Sequence, residues 1–270
     1  MSSEKQFEFT KDNIDVYLKE VAKEYRKLAG KNTPAELVLI GGASVLINYG
    51  FRNMTTDIDA LIQAASAMKD AINRVGDRYD LPHGWLNEDF TNTDSYTPRL
   101  SRFSVYFKTY SNIVTVRTME AEYLVAMKLR SGRQYKSDLS DVLGVLAEHE
   151  KRGAPITMEQ IRKAVTDLYG GWDALPESSK AFIENVMNDG RFEALYEQAA
   201  DGEKEVGALL VQFGQDYPDV LTGKNADGIA ENLQKKTDRA SVLAKLRERK
   251  AEAEQSAQRR EQKTENESDS

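Results

Sequence analysis

Residues 41–62 read GGASVLINYGFRNMTTDIDALI, and the order of patterns in this stretch decides the fold of the first half of the chain. The glycine pair follows a short apolar run, ELVLI (36–40), that is typical of a buried strand. The next residues, ASVLINYG (43–50), have helical character, whereas TTDIDALI (55–62) alternates between two faces as a strand does. The stretch therefore predicts a strand, a glycine turn, a short helix and a second strand that carries two aspartates.

The residue types in this stretch suit the binding of phosphate and metal. Asp57 and Asp59 are one residue apart, so on a strand both carboxylates point from the same face, about 7 Å apart along the chain. Such a pair can share Mg²⁺ with substrate phosphates, although an exposed strand face would show the same pattern. Gly41 and Gly42 precede a helix start, where a missing Cβ lets backbone N–H groups approach a phosphate, and Ser44 adds a hydroxyl. The combination favours a phosphate cradle beside a metal-binding carboxylate pair.

The remaining patterns predict an α/β or α+β core followed by helices. RFSVYF (102–107) and NIVTVR (112–117) are rich in β-branched and aromatic residues and predict a hairpin or two adjacent strands. Together with the flanking helical patterns they indicate a small mixed sheet flanked by helices over residues 1–150. Only helical patterns continue from 154 to 245, which predicts an all-helical C-terminal module. The charged, polar residues 246–270 predict a disordered tail.

Composition excludes several classes of site. The chain has 270 residues, no cysteine and two histidines, His83 and His149, that lie far apart. The lack of cysteine excludes disulfides, thiolate metal sites and cysteine nucleophiles, and the histidine spacing excludes a histidine-rich metal site. No run reaches the ~18 apolar residues that span a bilayer, and the polar N-terminus is not a signal peptide. We therefore expect a cytoplasmic protein with no membrane partner.

The charge distribution leaves the question of nucleic-acid binding open. The net charge of −7 argues against a generally basic surface. Between Arg99 and Lys136, however, eight basic side chains stand against two acidic ones. A solvated helix face explains such a stretch, and so does a positive wall that faces phosphates.

The whole stretch, rather than any one residue, resembles a known superfamily. Gly-Gly, a spacer and then Asp-x-Asp is similar to the nucleotidyltransferase superfamily that includes DNA polymerase β. More narrowly, residues 39–62 resemble the bacterial and phage families allied to the AbiEii-type toxins, whose signature has an arginine and a threonine before the aspartates. Arg52 and either Thr55 or Thr56 occupy those positions.

Two later segments extend the resemblance over about residues 36–147. YLVAMKLRSGRQYKSDLSDVLGVL (123–146) is similar to the second motif of those families, a helical lysine followed by an aspartate at the head of the next helix. GWLN (84–87) is a further similarity. The helical C-terminal half lies outside the resemblance.

The resemblance implies a set of roles for residues of this chain. Asp57 and Asp59 would hold Mg²⁺ or Mn²⁺, and Lys128 would contact the phosphates as a point charge. The later acidic position matches Asp138 or Asp141, and we favour Asp138 because it flanks the apolar stripe of its helix, although a charge that complements the helix dipole is an equal explanation. The residues implied in triphosphate binding are Gly41, Gly42, Ser44, Arg52 and Thr56.

The implied reaction is transfer of a nucleotidyl group from a nucleoside triphosphate to a hydroxyl of a tRNA, a protein or a small molecule. The local basic stretch favours RNA, and the AbiEii-like features imply a toxin with a cognate antitoxin or a role in phage defence. Many superfamily members have a third metal-binding carboxylate on a later strand, and RFSVYF and NIVTVR contain none. Either two strand carboxylates suffice, or the chain is an inactive nucleotidyltransferase fold that acts as a binding module.

Overall fold

The computed structural model describes residues 7–132 and 138–216, together with Val220 and Ile229. The chain divides into two compact units, residues 1–201 and 202–270. The sheet lies in the first unit, and the second is described mainly as the continuation of the last helix. The predicted tail, residues 246–270, lies outside the described residues, and the predicted domain boundaries stay predictions.

Five strands form one mixed sheet in the order β3-β2-β1-β5-β4. They are β1 (Ala35–Leu39), β2 (Ile58–Gln63), β3 (Leu86–Asn87), β4 (Ser104–Tyr110) and β5 (Val114–Met119). The central strand β1 pairs antiparallel with β2 and parallel with β5, and β4 and β5 form an antiparallel hairpin. This confirms the predicted fold class and the hairpin.

Eight helices follow and flank the strands within the described residues. They are α1 (Lys11–Ala29), α2 (Gly41–Asn48), α3 (Ala67–Tyr79), α4 (Ala121–Ser131), α5 (Asp138–Lys151), α6 (Met158–Tyr169), α7 (Glu177–Asp189) and α8 (Phe192–Asp216). The described chain after α5 contains helices and a short 3₁₀ turn, which confirms the predicted helical C-terminal region. No helix in the described residues combines the length and the apolar character of a membrane span.

Strand alternation divides the core between the two faces of the sheet. Leu37, Leu39 and Ile58 pack with α1 and α3. Val38 and Ile40 point the other way and pack with residues of α4, α5, α6 and α7. Asp59 alternates with Ile58 along β2, so its side chain emerges on the face that α4 covers.

Helices α1 and α3 are joined by a buried carboxylate. Glu24, on α1, is 4% exposed. It accepts hydrogen bonds from Arg78 and Arg74 of α3 and from Lys27 of its own helix, at 3.1, 3.1 and 3.2 Å. Three cationic donors meet the requirement that a buried charge be paired, and the two arginines fix α3 against α1.

The second predicted strand begins later than its alternation indicates. The pattern spans residues 55–62, but β2 starts at Ile58. The backbone of Thr55 pairs instead with Phe9, which donates to the Thr55 carbonyl at 2.8 Å and accepts from the Thr55 N–H at 2.9 Å. Asp57 therefore lies in the turn just before the strand, and Asp59 lies on it.

Candidate nucleotide and metal site

The glycine turn places the start of α2 beside the carboxylate of Asp59. Gly41 has φ +53°, a conformation that a residue with a side chain rarely adopts. A Cβ at Gly41 would lie 3.9 Å from Oδ2 of Asp59. The preceding residue, Ile40, donates its N–H to the Asp59 carbonyl at 2.9 Å. Pairing of the strands thus holds a side-chain-free backbone next to the carboxylate.

Gly42 is required by packing inside the protein. A Cβ there would lie 2.7 Å from Oγ1 of Thr55 and 3.0 Å from Nη2 of Arg52. Real Cβ contacts are longer than the first of these distances, so the missing side chain makes room for the guanidinium of Arg52. The two positions therefore require glycine for different reasons. Position 41 needs the positive φ, and position 42 has no space for a side chain.

Ser44 is used within the core. The residue is fully buried, and its Oγ accepts a hydrogen bond from the backbone N–H of Met119 at 3.1 Å. This contact ties α2 to the end of β5. Phosphate binding by Ser44 stays a prediction, and the structure gives its hydroxyl a partner inside the protein.

A cavity of about 270 Å³ brings five of the predicted residues together. These are Gly41, Asp57, Asp59, Lys128 and Asp138. The described residues that line the cavity do not include the other four predicted site residues, which are Gly42, Ser44, Arg52 and Thr56. The cavity also has a wall that the sequence did not indicate, formed by Asp89, Phe90, Thr93, Ser95, Leu124 and Met127.

Lys128 lies between two buried carboxylates. Its Nζ is 2.7 Å from Oδ1 of Asp138 and 2.8 Å from Oδ2 of Asp141. The same Asp141 oxygen accepts from Nη1 of Arg52 at 2.5 Å. We call Arg52, Lys128, Asp138 and Asp141 the ionic quartet. Asp138, Asp141 and Lys128 are 0%, 3% and 7% exposed, so these charges are paired inside the protein.

The quartet keeps Lys128 protonated. Burial by itself lowers the pKa of a lysine, but the charges of Asp141 and Asp138 outweigh it and raise the pKa of Lys128 above its ordinary value. The side chain is therefore an ammonium when it lines the cavity.

Both candidates for the later acidic position, Asp138 and Asp141, contact Lys128. Asp138 and Asp141 are three residues apart, which places both on the same side of the helix, toward α4. Asp138 lines the cavity, and its role there stays a prediction. Asp141 is buried as well, because it has Arg52 as a second partner.

The described residues show no third metal-binding carboxylate. They contain no group of three or more histidine, cysteine, aspartate or glutamate side chains that could hold a metal ion. Burial and the neighbouring Glu122 raise the pKa of Glu120, but the described lining of the cavity does not include Glu120. Asp89 does line it, from the 3₁₀ turn after β3. The GWLN motif (84–87) could have indicated this position, because its last two residues form β3. That strand pairs with β2 beside Asp59, so the residues that follow it lie near the cavity.

Much of the basic stretch is occupied by contacts within the protein. Arg99 donates to the Asp167 carbonyl, Lys108 pairs with Asp15, and Arg117 bonds to Ser104. Arg130 donates to backbone carbonyls. Arg133 and Lys136 lie outside the described residues. In the part of the chain that the structure describes, only Lys128 of this stretch lines the cavity.

Comparison with known proteins identifies the family. Residues 16–151, just over half of the chain, match the model of a family described as nucleotidyltransferase of unknown function, DUF6036. Neither the curated proteins nor the solved structures include a significant match to the chain. The matched region contains the glycine turn, both aspartates and the whole ionic quartet. The chain therefore belongs to the DUF6036 family of nucleotidyltransferases of unknown function.

Proposed function

We propose that the protein transfers a nucleotidyl group from a nucleoside triphosphate to an acceptor hydroxyl and that the reaction depends on Mg²⁺ or Mn²⁺. The observation that carries the proposal is the cavity in which the side-chain-free start of α2 adjoins Asp59, with Asp57 and Lys128 in the same lining. Membership of a nucleotidyltransferase family supports the same reaction.

The residues present suit a divalent ion that is shared with the substrate. Asp57 and Asp59 offer two carboxylates, and Mg²⁺ commonly binds one or two carboxylates together with substrate phosphates and water. The described cavity lining includes four aspartates and one lysine, so a triphosphate without a cation would be repelled there. Asp57 and Asp59 would hold the ion, which would offset part of the negative charge of the triphosphate and lower the pKa of the acceptor hydroxyl.

The remaining groups would orient the phosphates. Backbone N–H groups at the start of α2 are free of a Cβ at Gly41, and the helix N-terminus favours an anion. Lys128 has three N–H donors, of which the described residues engage two through Asp138 and Asp141. We assign the third to a phosphate oxygen, which would align the triphosphate for in-line attack. Arg52 acts through Asp141 in this scheme, by keeping Lys128 in place.

A transfer assay with labelled nucleoside triphosphates tests the proposal. RNA, protein and small hydroxyl compounds serve as acceptors, with Mg²⁺ or Mn²⁺ present. Asp59→Asn and Asp57→Asn should each lower transfer about 10²-fold or more, because each removes a charged ligand of the metal ion that would stabilise the reacting phosphates. Asp77→Asn, at an exposed position of α3 on the opposite side of the sheet, is the matched control and should leave transfer unchanged.

Metal binding gives a second readout that does not need the acceptor. Calorimetric titration of Mn²⁺ into the protein with a non-hydrolysable triphosphate should show binding that Asp59→Asn weakens. If the unaltered protein binds neither the ion nor the nucleotide, the proposal is wrong.

We also propose a toxin role, with RNA or protein as the acceptor and an antitoxin as partner. The resemblance to the AbiEii-allied families supports this, and expression in bacterial cells tests it. Growth arrest that Asp59→Asn abolishes and a neighbouring gene relieves is the expected result. Growth unaffected by the unaltered protein would contradict it.

A second candidate is a non-catalytic binding module with the same fold. The observation in its favour is that the described residues offer no three-carboxylate metal group. Under this alternative, nucleotide binding persists while transfer to every acceptor is absent, and Asp57→Asn leaves the binding of the partner protein unchanged.

A further inference from the structure

One part of the cavity wall differs chemically from the aspartate side. Phe90, Leu124 and Met127 are apolar and buried, and Thr93 and Ser95 add hydroxyl-bearing residues to the same lining. Phosphates require cations and N–H donors, whereas a nucleoside presents a flat apolar base with hydrogen-bonding edges. Ligand sites typically combine apolar surface with a few polar groups in this way. We call these five residues the nucleoside wall.

The turn that carries Phe90, Thr93 and Ser95 of the nucleoside wall is held by helices outside it. The carbonyl of Ser95 accepts a hydrogen bond from the hydroxyl of Tyr169 at 2.8 Å. The neighbouring carbonyl of Asp94 accepts from Nε of Arg130 at 3.2 Å. A little further along the turn, Arg99 donates to the Asp167 carbonyl of α6 at 2.9 Å. Between β3 and β4 the backbone has two short 3₁₀ turns with hydrogen bonds of their own, such as that from the Thr93 hydroxyl to the Phe90 carbonyl at 2.8 Å, and the helix contacts anchor this segment to the rest of the protein.

Tyr169 is the last residue of α6 and lies beyond the family match, which ends at residue 151. Burial raises the pKa of Tyr169 far above the physiological range, with a smaller opposing effect from Arg130. The phenol is therefore always protonated and always able to donate to Ser95. A side chain from the helical C-terminal region thus reaches a carbonyl at the edge of the cavity.

We propose that Tyr169 is a positioning residue: its hydroxyl fixes the Thr93–Ser95 turn and thereby sets the affinity and selectivity of the site for the nucleoside part of its substrate. This inference rests on the proposed function, because it assumes that a nucleoside triphosphate occupies the cavity. It adds that the C-terminal helices take part in choosing the nucleotide.

The test compares nucleotides with a ligand that has phosphates and no nucleoside. Binding of ATP, GTP, CTP, UTP and inorganic tripolyphosphate to the full chain is measured by calorimetry with Mg²⁺. Tyr169→Phe should weaken binding of the preferred nucleotide about 2- to 10-fold, which is the effect of losing one hydrogen bond. The differences in affinity among the four nucleotides should become smaller. Tripolyphosphate should bind as before, because its contacts lie on the aspartate and lysine side.

Tyr196→Phe is the matched control. Tyr196 also lies in the helical region and donates its hydroxyl to a backbone carbonyl, that of Phe51, at 3.1 Å. The described cavity lining contains neither residue, so this variant should leave the nucleotide preferences unchanged. Thr93→Val removes a second hydrogen bond that fixes the same turn, from the Thr93 hydroxyl to the Phe90 carbonyl at 2.8 Å. It should reproduce the effect of Tyr169→Phe, so the influence of the turn on nucleotide preference can be tested even if Tyr169→Phe unfolds.

The outcomes separate the inference from the function on which it rests. Equal weakening of nucleotides and tripolyphosphate in Tyr169→Phe, or no change in either, would overturn the positioning role. Equal binding of all four nucleotides and tripolyphosphate by the unaltered protein would also overturn it, while leaving the proposed function standing. If the unaltered protein binds none of the five ligands, the proposed function itself fails.

Discussion

Replacing Asp141 by asparagine should destabilise the protein far more than the loss of an ordinary ion pair. The substitution keeps the shape of the side chain and removes the charge that Arg52 and Lys128 share, at 2.5 and 2.8 Å. The ionic quartet, which is neutral with two cations and two carboxylates, would then carry one uncompensated positive charge. Loss of one partner from a buried pair costs about 3–5 kcal/mol of unfolding free energy.

The structure indicates that the free energy of unfolding lost in Asp141→Asn lies near the lower end of that range. The side chain of Arg52 is 19% exposed, so hydration of its guanidinium offsets part of the energy lost with Asp141. Lys128 keeps Asp138 as a partner at 2.7 Å. We therefore expect a loss of about 3 kcal/mol, which is a large share of the 5–15 kcal/mol typical of whole domains.

Urea unfolding followed by circular dichroism measures this loss, with an exposed ion pair as the control. Lys151 and Glu193 are paired at 2.5 Å, but their side chains are 53% and 60% exposed. Glu193→Gln should therefore cost less than about 1 kcal/mol. The midpoint should fall in Asp141→Asn without a change in the m-value, because the surface exposed on unfolding stays the same.

A double-mutant cycle identifies the cause. In Arg52→Met with Asp141→Asn, the quartet returns to neutrality, so the double variant should be more stable than the sum of the two single losses by about 0.5–3 kcal/mol. The reasoning is refuted if Asp141→Asn costs no more than Glu193→Gln, or if the two single losses simply add.

Three further predictions concern packing and pH. Gly42→Ala should cost about 1–3 kcal/mol, because its Cβ would lie 2.7 Å from Oγ1 of Thr55, and Thr55→Ala in the same chain should recover part of the loss in urea unfolding. Gly144→Ala should lower the stability of the protein although alanine has the better helix propensity, because the new Cβ would lie 2.6–2.8 Å from ring carbons of Phe51. Adding Phe51→Leu should recover part of the lost stability, and a higher melting temperature in Gly144→Ala alone would contradict the prediction. Hydrogen bonds from an arginine and a lysine lower the pKa of Glu24 from 4.5 to about 2. The stabilisation by Glu24 is therefore complete above pH 4.5 and lost as pH falls toward 2. In Glu24→Gln, the free energy of unfolding should therefore fall less steeply between pH 4.5 and pH 2 than in the unaltered protein, and an equally steep fall would refute this prediction.

Local patterns in the sequence predicted the parts of the fold that neighbouring residues determine. The apolar run, the glycine turn and the alternating strand together indicated β1, α2 and β2, since each pattern is set by a period along the chain. The hairpin of β4 and β5 followed from two runs of β-branched residues close together. Local alternation also predicts that Asp57 and Asp59 share a strand face, whereas the structure begins β2 at Ile58 and leaves Asp57 in the turn before it.

Long-range pairing explains what local patterns did not show. The late start of β2 depends on Phe9, which comes from the N-terminal segment. Asp141 is buried because Arg52 meets it from the loop after α2, a contact between residues far apart in sequence. Ser44 follows the glycine pair, which suggests a hydroxyl for the phosphate, whereas the partner that the structure gives this hydroxyl is Met119 at the end of β5. The periodicity of a sequence segment contains no information about contacts with residues far away in the chain.

The pairing of β1 also sets an order in which the protein can fold. Strand β1 meets β2 across one short helix, but it meets β5 only after β2, α3, β3 and β4 have intervened. Closing the longer loop costs more chain entropy, so the pairing with β5 should form later and limit the folding rate. The glycine turn and its aspartates would then exist as an early, isolated piece of structure. Lys128 would join them only when the parallel strand closes, which makes slow folding a direct consequence of assembling the cavity from elements that follow both neighbours of β1.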